Sequence, residues 1–128
     1  MGTVNDLELP SQPDSVAKAR AHVARGCREF IPFLDDAVAA VSELAANAIV
    51  HAGRYGGFSV AVEVRDGLLW IRVRDRFPCT LPGDPDGDPL AESGRGLVIA
   101  KSLADYFGYR VDPDGKTVCV AFKVDAHP

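Results

Sequence analysis

Three residues set four apart, Glu43, Asn47 and His51, carry the first chemical signal in this chain. Side chains at i and i+4 share a helix face, so in a helix the three form one polar stripe. Their surroundings, from Ala37 to Ala52, hold no other formal charge. Amide and carboxylate oxygens are hard ligands suited to magnesium, which keeps several waters and takes few protein ligands. A carboxylate one turn from such an ion can orient a water or accept a proton from a hydroxyl. A plainer reading also accounts for the stripe: a polar edge on a core helix, with His51 capping its C-terminal end.

Three further groups follow along the chain. Asp75 closes an apolar-polar run and could accept hydrogen bonds from an exocyclic amine such as that of adenine; taken alone, it reads better as a solvated residue opening a turn. Gly94-Arg95-Gly96-Leu97 is a candidate anion site. Glycines let the backbone approach a phosphate, and a following helix offers free N–H groups and its positive dipole end. Arg95 would add charge-assisted bonds. Neither a P-loop lysine nor a preceding strand accompanies this motif. Gly115-Lys116-Thr117 opens the last strand candidate, from which Thr117 could reach a ligand, though a hairpin turn with a β-branched residue entering the strand is the reading that the residues alone favour.

These groups need elements to hold them. Apolar residues at Ala37, Val38, Val41, Leu44, Ala45, Ala48, Ile49 and Ala52 predict a helix over 37–52, capped by Asp35 or Asp36 and ended by Gly53. Ala40, Ala46 and Val50 fall on its opposite face. An earlier helix through about residue 29 begins near Pro13, after a short extended segment at 7–9, and Pro32 interrupts the pattern. Alternation over 58–65 and 68–74 around Asp66-Gly67 predicts an antiparallel hairpin. Residues 76–93, with four prolines, fit no element and read as a functional loop. A helix is expected from Leu97 to about Phe107, ended by Gly108, then strands at 109–111 and 116–124. In the last strand Val118, Val120 and Phe122 face one side, with Thr117, Cys119 and Ala121 on the other. The order β-α-α-β-β-loop-α-β-β implies an α+β fold, a two-layer sandwich with helices on one face of a mainly antiparallel sheet.

Composition narrows the function classes. The 128 residues suit one domain, and a net charge of -4 argues against a protein that binds nucleic acid through phosphate contacts. Cys27, Cys79 and Cys119 are widely spaced and odd in number, and are expected to be reduced thiols in a cytoplasmic protein. The N-terminal residues lack the pattern of a secretory signal. The 37–52 helix is too short and polar to span a bilayer, so no membrane partner is expected.

Taken in order, the pieces resemble the histidine-kinase-like (Bergerat-fold) ATPase domain, above all its small stand-alone anti-sigma-factor serine/threonine kinases and related ATP-binding regulators. The resemblance covers about residues 10–124 of a single ATP-binding domain spanning 1–128. Val41 to Ala52 is similar to the family's N box. By that resemblance Asn47 holds magnesium, Glu43 activates the attacking group, and His51 lies near the phosphates. The resemblance further implies that Asp75 accepts from the adenine amine, Gly94, Arg95, Gly96 and Leu97 form the phosphate turn, Thr117 lies near adenine, and 76–93 is a short nucleotide lid. The function it implies is a Mg-ATP-dependent kinase that phosphorylates an anti-sigma-factor antagonist and also sequesters a sigma factor, as a homodimer. The alternative is an ATP-binding regulator that sequesters a protein partner without phosphoryl transfer. The run Asp75-Arg76-Phe77-Pro78 departs from the family's pattern, which has glycine two residues after the aspartate; Phe77 alters the wall of the adenine pocket.

Overall fold

A computed structural model describes residues 4–28, 31–78 and 94–124, by backbone alone at 4, 31–33 and 94–96. The elements are β1 (Val4–Leu9), α1 (Ser15–Gly26), α2 (Ile31–Ala52), a 3-10 turn (Gly53–Tyr55), β2 (Phe58–Arg65), β3 (Leu68–Asp75), α3 (Gly94–Leu103), β4 (Tyr106–Asp112) and β5 (Gly115–Lys123). The five strands form one antiparallel sheet in the order β1-β2-β3-β5-β4. The fold is therefore the α+β two-layer sandwich that the element order implied.

Alternation decides which face of the sheet is covered. Phe58, Val60 and Val62 of β2, Leu69, Ile71 and Val73 of β3, and Val118, Val120 and Phe122 of β5 are buried in one core with Val41, Leu44 and Ala45 of α2. Burying each of the larger side chains contributes about 1.5–3 kcal/mol. The intervening residues Trp70, Arg72 and Arg74 stand on the other face, half-buried. There Arg72 pairs with Glu63 at 2.9 Å. The β2–β3 turn has Asp66 at φ 55° and Gly67 at φ 75°, the left-handed geometry for which Asp-Gly is suited.

Several boundaries, and one helix face, differ from the sequence reading. Helix α2 begins at Ile31, so Pro32 lies in its first turn, where the missing N–H costs nothing. Of the residues expected on the outer face, Ala40 is wholly buried and Ala46 half-buried, because α1 and α3 both pack on α2, while Val50, 86% exposed, points outward. Helix α3 ends at Leu103 rather than near Phe107, and Gly108 lies inside β4, where it pairs with Cys119. The sheet wins here: the Asp105 N–H donates to the Ala121 carbonyl, and Tyr106 is already in register opposite Ala121. Among the described residues no helix is long and apolar enough to cross a membrane.

Candidate functional site

Helix α2 carries the stripe. Glu43, Asn47 and His51 are all partly buried on it, and four residues climb about 6 Å along the axis. The inward neighbours Leu44, Ala45 and Ala48 lock the helix against the sheet, which fixes the stripe's direction. His51, in the last turn, meets the end of β3: its ring stacks on Phe77 with centroids 4.5 Å apart and planes at 24°. Tyr55, from the 3-10 turn, meets Phe77 edge-on at 5.7 Å.

Asp75 is the last residue of β3 and faces the helices, in phase with Val73 and Ile71. It is 2% exposed, so its charge requires partners. Oδ1 accepts the Phe77 N–H at 2.9 Å. Oδ2 lies 3.3 Å from Nζ of Lys116, which is 1% exposed and the largest of the wholly buried side chains. The ammonium also sits 5.8 Å from the centre of the Phe77 ring. A buried ion pair of this kind is held by its geometry, and removing either partner strands the other charge in the core.

Lys116, not Thr117, is therefore the β5 residue beside Asp75. The register pairs Asp75 with Lys116 and Arg74 with Thr117, and adjacent residues point to opposite faces. Thr117 is on the outer face, accepting from Arg74 Nη1 at 3.2 Å. Arg74 also grips Asp112 with two bonds, 2.9 and 3.0 Å long. Those bonds hold the Asp112 carboxyl below the usual carboxylate range and raise the Arg74 guanidinium further. The signal that places Lys116 is in the sequence: it is in phase with Val118, Val120 and Phe122. Gly115 makes the contact possible, since a Cβ there would strike the Asp75 carbonyl oxygen.

Gly94, Arg95 and Gly96 form the first turn of α3, which packs on α2, and Leu97 is a buried core residue. The Arg95 side chain and most of the 76–93 lid lie outside the described residues, as does Cys79. Two clefts, of about 570 and 280 Å³, are lined in part by Ser59 and Arg74 and by Trp70 and Cys119, which lie on the outer face, and neither has Asp75 or Lys116 in its wall.

A sequence profile of the histidine kinase-like ATPase domain matches residues 9–122. The chain belongs to that family. No curated protein matches it. Among solved structures, this histidine kinase-like ATPase domain is similar to the crystal structure of the RsbU and RsbW domains of Rv1364c from Mycobacterium tuberculosis, with a TM-score of 0.72 and 21% identity. The match covers 95% of this chain and 32% of that one, so the chain spans about a third of that protein's length. The likeness establishes the fold of the histidine kinase-like ATPase domain. The family implies a nucleotide, and magnesium usually accompanies it. Among the described residues no group of three or more His, Cys, Asp or Glu could hold a metal ion. The donor chemistry of Asn47 and Glu43 instead fits an ion that takes most of its ligands from phosphate and water.

Proposed function

We propose that this domain is a Mg-ATP-dependent regulator of the anti-sigma-factor type, a protein serine/threonine kinase acting on an anti-sigma-factor antagonist. The observation that carries the reading is the pairing of Glu43 and Asn47 on α2, in a chain of this ATPase family. Phosphoryl transfer asks mainly for positioning and charge neutralisation. Asn47 would hold the magnesium ion through its amide oxygen, and the ion would neutralise phosphate charge. The N–H groups of the first α3 turn would cradle phosphate oxygens. Glu43 would accept the proton of a substrate serine or threonine as its oxygen bonds to the γ-phosphorus, the bond to the β-bridging oxygen breaks and ADP leaves. An anti-sigma-factor antagonist is the proposed protein partner, in keeping with the structural likeness to RsbU and RsbW domains; a sigma factor as second partner and a homodimeric assembly are proposed from the sequence resemblance alone.

Incubation with γ-labelled ATP, magnesium and candidate antagonists tests this. Label is expected on a partner serine or threonine. Glu43→Ala should slow transfer by about 10²–10⁴-fold while Mg-ATP still binds, the usual worth of a general base. Asn47→Ala should abolish Mg-ATP binding. Binding without label on any partner would replace the kinase with a non-catalytic ATP-dependent sequestering protein, the reading that Phe77 and Lys116 at the base end favour.

A further inference from the structure

We infer that Lys116 and Phe77 gate the base end of the nucleotide site, and that a base reaches Asp75 only when the Asp75–Lys116 pair parts. The inference rests on the proposed nucleotide site, with Asp75 as the acceptor of a base amine. Both oxygens of Asp75 already receive a donor, the Phe77 N–H on Oδ1 and the Lys116 ammonium on Oδ2. A carboxylate has lone pairs to spare, so saturation is not the obstacle. Access is: Asp75 and Lys116 are both almost wholly buried, and the Phe77 ring lies close by, stacked on His51 and braced by Tyr55. To come within reach, an incoming neutral amine must move aside a Lys116 side chain that is held by a charge-assisted contact. The chain thus fills the acceptor's surroundings with its own cation and its own ring.

A site of this kind binds with an apparent Kd equal to the intrinsic value divided by the fraction of molecules that are open. Shifting the chain toward the open state must therefore tighten binding. The opposite assignment, Lys116 as a direct ligand of base or phosphate, makes the opposite prediction, so the sign of the change decides.

Calorimetric titration of Mg-ATP and of inorganic tripolyphosphate into the wild type, Lys116→Thr and Phe77→Gly is the test. Each substitution should tighten Mg-ATP binding by about tenfold or more, through the open fraction. Tripolyphosphate, which has no base, should gain nothing. Phe77→Gly deletes neither charge but removes the ring that packs beside the closed pair and so makes its parting easier, which gives it the same expectation where Lys116→Thr fails to fold. Weaker Mg-ATP binding by Lys116→Thr, or unchanged affinity in the folded variants, overturns the gate and leaves the nucleotide site standing. An equal gain for tripolyphosphate also overturns it. Failure of every folded form to bind Mg-ATP overturns both the gate and the nucleotide reading.

Discussion

Cys27 shows how burial alone sets a residue's chemistry. It closes α1 and is wholly buried in the core. Desolvation pushes its thiol up to about 11, because the charged thiolate loses its water. The unfolded chain ionises this thiol more easily, from an ordinary value of 9.0. Its contribution to stability is therefore complete below pH 9 and is lost as the pH rises toward 11. In the native protein at pH 8.5, iodoacetamide should modify the partly exposed Cys119 well before Cys27, and peptide mapping by mass spectrometry reads the order. Equal rates would mean that the α1 end opens readily. The same logic of burial governs Asp75 and Lys116, each of which needs the other.

At the scale of elements, the end of β3 and the start of β5 must approach closely for that pair to form. Glycine at 115 permits it; an added methyl would collide with the Asp75 carbonyl oxygen and lie 3.1 Å from the Arg74 guanidinium. Gly115→Ala should destabilise the fold by about 1–3 kcal/mol, the usual range for overpacking, as measured by urea denaturation. It should also loosen both contacts that span this junction, Asp75–Lys116 on the core face and Arg74–Asp112 on the outer one. The hairpin β2–β3 was readable from Asp66-Gly67 and strict alternation. The start of α2 and the end of α3 were not: the first turn of the longer α2 tolerates Pro32, and pairing with β5 claims Tyr106 and Phe107 for the sheet.

For the molecule as a whole, α2 is the member that all layers share, touching α1, α3 and the sheet. Leu44 sits at that junction, 2% exposed, one residue from Glu43. Leu44→Ala should cost about 2–5 kcal/mol through lost burial and the cavity it leaves, measured by thermal and urea unfolding. A loss under 1 kcal/mol would mean that the layers close over the gap, since the cost depends on how far the site collapses. The sequence by itself determined the fold class, the hairpin, the polar stripe on α2 and the strand position of Asp75, because each is written in local periodicity and turn chemistry. Only the tertiary structure decided which β5 residue meets Asp75 and what fills the space around it. Strand register and the packing of His51 on Phe77 join residues far apart in the chain, and no local pattern specifies how two such segments align.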